Sequence, residues 1–346
     1  MSQTSHTIYF KNSQDIKEIE DETVNLIVTS CPYPMIEMWD EVFSLQNSKI
    51  RKALTKHTGD LAFELMHQEL DKVWSETYRV LKKNGIACIN IGDATRSLGD
   101  DFNLYPSHTR IISHCLKIGF KCLPFIIWTK LTNIPNKFLG SGMLPPGAYV
   151  TLEHEYILIL RKGGKREFST EQEKKKRSLS PYFWEERNVW FSDIWNLRGV
   201  NQSIKNTKVR KRSAAFPFEL AYRLINMFSL KGDIVLDPFL GTGTTTFAAM
   251  ASARNSIGIE IDENFREVIQ TGIKEVVEYA NAYNKKRIQR HIEYIEERIQ
   301  NQRKPKYKNE FYGFLVVTKQ EIKLKLNELT YIKKLEENCF QVEYVD

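Results

Sequence analysis

The chain has 346 residues, of which 50 are Lys or Arg and 43 are Asp or Glu, so its formal net charge is +7. With 42% hydrophobic and 12% aromatic residues it has the composition of a globular protein, which excludes an intrinsically disordered chain. No stretch reaches the roughly 20 apolar residues of a transmembrane helix, and the N-terminal residues lack the layout of a secretory signal. We therefore expect a cytoplasmic protein without a membrane partner. Its five cysteines contain no C-x-x-C pair, so neither a disulfide framework nor a metal site is predicted.

The N-terminal part of the chain alternates predicted strands and helices. Runs of β-branched and apolar residues predict the strands, and apolar residues at helical spacing predict the helices. In chain order the predicted elements are strand 7–10, strand 24–30, helix 61–82, strand 86–91, helix 106–118, strand 121–129 and strand 155–160. Strands interleaved with helices are typical of an α/β fold, in which helices cover both faces of a parallel sheet.

The sequence changes character between residues 161 and 212. Basic residues cluster in 161–177 and again in 205–212, and six aromatic residues lie between the two clusters. The α/β pattern then resumes, and beyond about residue 265 the chain is predicted to be mostly charged helix. The resumed elements are helix 216–228, strand 234–236, a Gly-rich turn, a helix to residue 253 and strand 256–261.

The Gly-rich turn Asp237-Pro238-Phe239-Leu240-Gly241-Thr242-Gly243-Thr244 predicts a cofactor site. It follows a predicted strand and opens a helix, where backbone N–H groups can approach a ligand closely. The absence of a following Lys excludes a phosphate-binding P-loop, and Thr246 in place of a third glycine disfavours a dinucleotide fold. Glu260 lies near the end of the next predicted strand, where an acidic residue typically binds ribose hydroxyls. An adenosine-containing ligand without pyrophosphate, S-adenosylmethionine, fits this pattern; the alternative is a turn whose glycines only permit tight packing.

The tetrapeptide Ser30-Cys31-Pro32-Tyr33 lies at the carboxyl end of a predicted buried strand, where open α/β sheets bind ligands. An exocyclic amine of a nucleobase is a poor nucleophile, so its site needs acceptors that hold its hydrogens beside an aligned electrophile. The Ser30 hydroxyl and the Cys31 carbonyl are candidate acceptors, Pro32 stiffens the turn, and Tyr33 is a candidate to stack on the base. A polar turn with a core tyrosine is the alternative.

Together, the two segments resemble motifs IV and I of the amino-group DNA methyltransferases, in the permuted order of the β class. The tetrapeptide resembles the S-P-P-Y of the cytosine-N4-specific subgroup, and the resemblance covers roughly residues 7–265. It implies a Rossmann-like methyltransferase sheet that uses S-adenosylmethionine, with an inserted basic target-recognition region and a helical C-terminal extension. The implied division is 1–160 for the catalytic part, 161–212 for target recognition, 213–265 for the cofactor-binding part and 266–346 for the C-terminal extension.

The resemblance also implies roles for individual residues. The catalytic residues are Ser30, Cys31, Pro32 and Tyr33, with Tyr33 stacked on a flipped base. The cofactor-binding residues are Asp237, Pro238, Phe239, Gly241, Gly243, Thr244, Glu260, Phe216 and Pro217. Because a DNA enzyme must neutralise phosphates, the basic clusters supply the predicted DNA contacts, which are Lys174, Lys175, Lys176, Arg177, Lys205, Lys208, Arg210, Lys211 and Arg212. A solvated charged loop is the alternative for 174–177.

Cys31 departs from the family pattern because it replaces the first proline. We interpret its carbonyl, and not its thiol, as the working group, since a nucleophilic cysteine belongs to the different chemistry of cytosine-C5 enzymes. The expected function is site-specific transfer of a methyl group from S-adenosylmethionine to N4 of a flipped cytosine in double-stranded DNA. By analogy with the family, the enzyme is expected to work beside a cognate restriction endonuclease. The alternatives are adenine-N6 methylation, methylation of RNA, and a DNA-binding protein that has lost catalysis.

Overall fold

The computed structural model describes residues 3–130, 139–141, 143–199 and 216–345. The strands in these residues are β1 (Gln3–Phe10), β2 (Val24–Ser30), β3 (Leu81–Ile91), β4 (Ala94–Leu98), β5 (Asp101–Tyr105), β6 (Phe120–Cys122), β7 (Ile126–Thr129), β8 (Leu139–Gly140), β9 (Ala148–Tyr149), β10 (His154–Lys162), β11 (Ile194–Asn196), β12 (Ile234–Asp237), β13 (Asn255–Glu260), β14 (Tyr307–Lys308), β15 (Leu315–Val316), β16 (Leu329–Glu336) and β17 (Cys339–Tyr344). The helices are α1 (Asp40–Gln46), α2 (Ser48–Thr55), α3 (Gly59–Val80), α4 (Ser107–Lys117), α5 (Glu171–Ser178), α6 (Trp184–Trp190), α7 (Phe218–Phe228), α8 (Thr244–Ala251) and α9 (Phe265–Gln300). None of the helices in the described residues is long and apolar enough to cross a bilayer.

One large mixed sheet organises the molecule. Its strand order is β11-β7-β10-β3-β2-β12-β13-β1-β17-β16, and β6 pairs with the far end of β10. The five central strands, from β3 to β1 in this order, run parallel, whereas β10 is antiparallel to β3. The carboxyl ends of the parallel strands therefore meet at one edge of the sheet, the carboxyl edge, and their amino ends meet at the opposite amino edge. The predicted α/β sheet is confirmed.

Helices cover both faces of the central strands. Leu26 and Val28 of β2 point to the face covered by α7, α8 and α9, and Ile27 points to the face covered by α1, α3 and α4. Because both faces are buried, the strand reads as a continuous apolar run with no polar alternation. This explains why β2 and β3 were predictable from sequence.

The helical C-terminal extension is present as α9, which spans 36 residues. Its buried residues Ile269, Ile273, Val276 and Ala280 recur at helical spacing and pack on the sheet, so α9 braces it. Beyond Gln300, however, the chain forms strands. β17 pairs antiparallel with β1 and β16 pairs with β17, so the end of the chain widens the central sheet.

Candidate active site

Three predicted segments meet at the carboxyl edge. Ser30 ends β2, Asp237 ends β12 and Glu260 ends β13, and these three strands are adjacent and parallel in the order β2-β12-β13. Residues far apart in the sequence, such as Ser30 and Asp237, are thereby placed side by side. The arrangement is that of open α/β sheets, whose ligands bind beyond the carboxyl ends of the strands.

Asp237 connects the tetrapeptide strand to the Gly-rich turn. Thr29 donates a 2.6 Å hydrogen bond to its Oδ1, and Thr245 donates a 2.6 Å hydrogen bond to its Oδ2. The Phe239 backbone N–H donates to Oδ1 at 3.0 Å. Burial raises the pKa of Asp237 to about 6, although the hydrogen bonds from Thr245 and Thr29 oppose that rise. Both oxygens are thus engaged by the protein, which gives Asp237 a positioning role beside the cofactor role predicted for it.

The backbone of the Gly-rich turn leaves space for a ligand. Gly241 has φ 55° and Gly243, the N-cap of α8, has φ 91°, a region that favours glycine. A Cβ added at Gly241 would meet no atom nearer than the Phe239 carbonyl at 4.0 Å, so the space beside it is open. Thr244 begins α8, whose first N–H groups face that space without intrahelical partners.

Glu260 lies beside this open space with its carboxylate fixed. The backbone N–H groups of Gly241 and Asp262 each donate a 2.8 Å hydrogen bond, one to each oxygen. Burial raises the pKa of Glu260 to about 7, and the two backbone bonds oppose the rise. Each carboxylate oxygen can accept a further hydrogen bond, so Glu260 and the open glycine backbone fit a ribose-bearing ligand such as S-adenosylmethionine.

The other predicted cofactor residues lie around the same edge. Phe239 is half-buried and meets Trp74 edge to face, with ring centroids 5.9 Å apart. Pro238 is buried within the turn, and Phe216 and Pro217 lead into α7. Because α7 ends near the amino end of β12, the start of α7 lies at the carboxyl edge. This is the edge at which a cofactor contact was predicted for Phe216 and Pro217.

Around Ser30 and Tyr33 lies a buried network of hydrogen bonds. Tyr33 donates to Glu155 Oε2 at 2.8 Å, and Asn90 Nδ2 donates to both Tyr33 Oη and Glu155 Oε2 at 2.7 Å. Lys130 forms an ion pair with the other oxygen of Glu155. The Ser30 hydroxyl lies 3.2 Å from Tyr33 Oη. Because Tyr33 gives its single proton to Glu155, Ser30 is the donor in this contact, which leaves lone pairs of Ser30 Oγ as acceptors.

The remaining atoms of the tetrapeptide are constrained. The Cys31 thiol is 2% exposed, and burial raises its pKa, which favours the thiol over the nucleophilic thiolate. Burial, with the nearby Glu155 carboxylate, also raises the pKa of Tyr33 and keeps it a neutral phenol. A Cβ added at Gly92 would lie 3.0 Å from Tyr33 Cε2, so the ring is held against that glycine.

Sequence reasoning missed three members of this network: Asn90, Lys130 and Glu155. All three lie within the span 7–265 that resembles the family, but no role was assigned to their side chains. Asn90 is near the end of β3, and Glu155 is near the start of β10, the antiparallel neighbour of β3. The available signal was a polar residue at the carboxyl-edge end of each buried strand, but using it required the strand order.

The structure does not bring the first basic cluster to Ser30. Lys174, Lys175, Lys176 and Arg177 lie on α5, and the Lys176 ammonium pairs with Asp233 at 3.1 Å. Asp233 directly precedes β12, so α5 is fixed at the amino edge. Of the second cluster, Lys205, Lys208, Arg210, Lys211 and Arg212 lie outside the described residues. Among the aromatic residues between the clusters, Phe183, Trp190 and Trp195 are buried and pack in the interior.

A basic helix that the sequence did not highlight lies nearer the site. α2 follows the tetrapeptide and precedes α3, which runs from the carboxyl edge back to the start of β3. α2 buries Ile50 and Ala53. It exposes four basic side chains, those of Lys49, Arg51, Lys52 and the adjoining Lys56. α2 therefore presents positive charge at the carboxyl edge.

Comparisons with known proteins agree with this geometry. Residues 24–271 match the N6/N4 methyltransferase family, which is described as DNA methylase. The chain is 53% identical over 343 residues to the type II methyltransferase M.MthZI of Methanothermobacter thermautotrophicus, a match that covers 99% of this chain and 95% of the relative. It is 51% identical over 285 residues to the type II methyltransferase M.MjaI of Methanocaldococcus jannaschii, with 79% of this chain and 93% of that relative covered.

Solved structures show the same fold. The protein TTHA0409 of Thermus thermophilus, solved in complex with S-adenosyl-L-methionine, superposes with a TM-score of 0.61 at 29% identity, covering 78% of this chain and 94% of that one. The cytosine-N4-specific PvuII DNA methyltransferase superposes with a TM-score of 0.52 at 16% identity, covering 77% and 86%, and supports the fold alone. Taken with the glycine turn and Glu260 at the carboxyl edge, these matches show that the chain belongs to the N6/N4 family of DNA methylases, which use S-adenosylmethionine.

Proposed function

We propose that this DNA methyltransferase transfers a methyl group to N4 of a cytosine flipped out of double-stranded DNA. The observation that carries the proposal is the position of Ser30. Its hydroxyl oxygen is an acceptor at the end of β2, next to the strand ends that hold the Gly-rich turn and Glu260. An acceptor beside a cofactor turn is what a weakly nucleophilic exocyclic amine requires.

The side chains of this site orient the amine. Ser30 Oγ and the Cys31 carbonyl accept the hydrogens of the amine, which directs its nitrogen toward the cofactor. Tyr33, held by Asn90 and Glu155, stacks on the base. S-adenosylmethionine, when bound, would supply a methyl group on a positively charged sulfur, which would leave as a neutral thioether, and the methylated amine would release one proton to solvent. The cofactor contacts come from the turn 237–244, Glu260 and the start of α7.

The target duplex approaches the carboxyl edge in this proposal. The exposed lysines and arginine of α2 supply cations for its phosphates. Two hairpins, β4–β5 and β8–β9, follow strands that end at this edge, and they contact each other through the stacked rings of Phe102 and Tyr149, with centroids 4.6 Å apart. The β8–β9 hairpin carries Met143 and Leu144, whose exposures of 87% and 71% place apolar groups in solvent. Such side chains suit the gap that a flipped base leaves.

The choice of cytosine N4 rests on the Ser-x-Pro-Tyr tetrapeptide and is the finer part of the proposal. Adenine N6 is the rival within the family. To decide between them, DNA methylated by the purified enzyme is digested and its nucleosides are separated by mass. N4-methylcytosine supports the proposal, and N6-methyladenine alone refutes the assignment of the base.

Ser30→Ala tests the mechanism. We expect it to abolish most methyl transfer while binding of S-adenosylmethionine stays within about twofold, because Ser30 contacts the amine and not the cofactor. Unchanged turnover would overturn the role of Ser30, and a wild-type protein that binds DNA without methylating it would support the inactive DNA-binding alternative. Loss of transfer to duplex DNA with retained transfer to RNA would support the RNA alternative.

A role in restriction-modification completes the proposal, in keeping with the type II relatives. Sequencing of DNA from cells that express the enzyme gives the sequence context of the modified base. The cognate endonuclease is then expected to cut the same sequence and to be blocked by the modification. An endonuclease encoded beside this enzyme that cuts the modified sequence would contradict the pairing.

A further inference from the structure

A large cleft lies at the amino edge of the sheet, on the side opposite Ser30. Its volume is about 1310 Å³. One wall is the segment from the end of β10 to α6, the other is the C-terminal segment 310–323, and the floor includes the start of β3 and the end of α7. None of the predicted catalytic or cofactor residues lines it.

The cleft is strongly basic. Ten of its lining residues are Lys or Arg and three are Glu. Its exposed cations come from three separate parts of the chain and converge on one space, and they are Lys82, Lys83, Lys165, Lys174, Arg177, Arg187, Lys319 and Lys323. The lining residues therefore carry a net charge equal to the +7 of the whole chain, so the whole-chain value does not reveal that the positive charge is concentrated in this cleft.

The walls of the cleft are held in place. Asp233, 1% exposed in its side chain, pairs with Arg166 at 2.5 Å and with Lys176 at 3.1 Å, which fixes α5 to the sheet. The Arg177 guanidinium lies 4.6 Å from the centroid of the Phe168 ring. The two walls are joined as well. The backbone N–H of Trp184, at the start of α6, donates a 2.9 Å hydrogen bond to the Glu321 carboxylate of the C-terminal segment. The cations therefore face a defined space.

Most of this charge is not neutralised by the protein. Lys82, Lys83, Lys319 and Lys323 form no ion pair with any residue in the described ranges. Cations held close together repel one another, and a polyanion that enters the cleft relieves this repulsion and releases counterions. The size of the space and its cation count suit a phosphodiester backbone.

We infer that this cleft binds the backbone of a second DNA segment, separate from the one that presents the target base. The seven residues of β2 separate the two edges by roughly 20 Å, and the two surfaces face in opposite directions. A straight duplex held against Ser30 therefore leaves the cleft free. DNA is the occupant because the family acts on DNA, which the enzyme meets in long molecules. The inference does not depend on whether cytosine or adenine is methylated.

The test uses the full-length protein and a Lys82→Ala, Lys83→Ala, Lys319→Ala, Lys323→Ala variant. A matched control removes the same charge from exposed lysines outside the cleft, as Lys274→Ala, Lys285→Ala, Lys286→Ala, Lys306→Ala. Each protein is saturated with an unlabelled duplex that contains its target sequence and with the product cofactor, and then titrated with a fluorescent duplex that lacks the target.

We expect the wild type and the control to bind the second duplex and the cleft variant to bind it at least about tenfold more weakly. Four phosphate contacts give a salt slope of about −3.6, so wild-type affinity is expected to fall about 100-fold between 50 and 200 mM salt, with a shallower dependence in the variant. Methylation of a short target duplex should stay within about twofold in all three proteins.

Absence of second-duplex binding in the wild type, or equal losses in variant and control, would overturn the inference. An equal loss of short-duplex methylation in the cleft variant would also overturn it, because the cleft would then belong to the target duplex. Displacement of the labelled DNA by a structured RNA at lower concentration than by duplex DNA would refute DNA as the occupant. N6-methyladenine as the product would refute only the proposed base and leave this inference standing.

Discussion

Binding of S-adenosylmethionine should weaken when the pH falls below 7, because of Glu260. Burial raises the pKa of this carboxyl to about 7 in the ligand-free protein. Ribose hydroxyls donate to the ionised form, so the bound state favours the carboxylate. Below pH 7 the free protein carries a proton that binding must expel, and above pH 8 it does not. Affinity should therefore be nearly constant above pH 8 and decline as the pH drops through 7.

The size of the effect follows from proton linkage. With a pKa of about 7 in the free protein, the apparent Kd should rise about tenfold at pH 6 and about 100-fold at pH 5 relative to its alkaline value. Glu260→Gln removes this dependence. It also places an amide N–H₂ against the N–H of Gly241 or of Asp262, which now donate to the two carboxylate oxygens at 2.8 Å. The opposed donors lower the stability of the protein with and without cofactor, so they leave the affinity unchanged. The affinity at pH 8 falls because the ribose loses a charged acceptor; a hydrogen bond to a charged group contributes about 1.5–3 kcal/mol, or about 10- to 150-fold.

Isothermal titration calorimetry between pH 5 and 8.5 measures both effects, and buffers with different ionisation heats reveal the proton released below pH 7. Glu263→Gln is the matched control, since Glu263 is an exposed carboxylate that pairs with Arg266 near the turn. It should bind with the wild-type pH profile. The reasoning fails if the wild-type Kd is constant from pH 6 to 8, or if Glu263→Gln flattens the profile as Glu260→Gln does.

Three other changes probe the edge around the cofactor. Tyr33→Phe removes one of the donors to Glu155, whose carboxylate keeps those from Asn90 and Lys130. We expect the free energy of unfolding, measured with urea, to fall by about 1–3 kcal/mol and kcat to fall with little change in the KM for cofactor; an unchanged kcat would contradict the positioning role. Because Asp237 has a folded-state pKa of about 6, above the usual 3.8, stability should decline by about 2 kcal/mol as the pH rises from 4 to 6; Asp237→Asn should remove that share of the decline, and an unaltered pH profile of urea midpoints would count against the burial argument. Met143→Ala with Leu144→Ala should lower kcat/KM on a matched duplex about tenfold and less on a duplex whose target base is mispaired; equal losses on both would argue against a role in flipping.

Residues whose chemistry is local to a strand end were predictable from the sequence. Ser30 and Glu260 each end a buried strand, and the glycines between Asp237 and Thr244 identify the turn by their need for positive φ. Asn90 and Glu155 were not assigned, because their proximity to Tyr33 depends on the order β10-β3-β2 in the sheet. Nothing in the sequence near either residue specifies that order.

The position of the first basic cluster could not be predicted for a related reason. The cluster follows β10, and a parallel β10 would have delivered it to the carboxyl edge. β10 is antiparallel to β3, with Tyr156 opposite Ile91 and Arg161 opposite Ile86. β10 therefore ends at the amino edge, and the basic cluster that follows it lies there. Beyond Gln300 the prediction of charged helix was wrong: Lys333, Lys334 and Glu336 of β16 favour helix, but Phe340, Val342 and Tyr344 of β17 alternate as in a strand.

β10 thus links the two edges of the molecule. Glu155 near its start holds Tyr33 in the candidate active site, and Arg161 near its end lines the amino-edge cleft. Its register is fixed because both faces are buried: Ile157 and Ile159 pack on one side, and Leu158 and Leu160 on the other. A slip of one residue would exchange the two faces and withdraw Glu155 from Tyr33. The same apolar residues that hold the sheet together therefore set the position of the carboxylate on which the tetrapeptide depends.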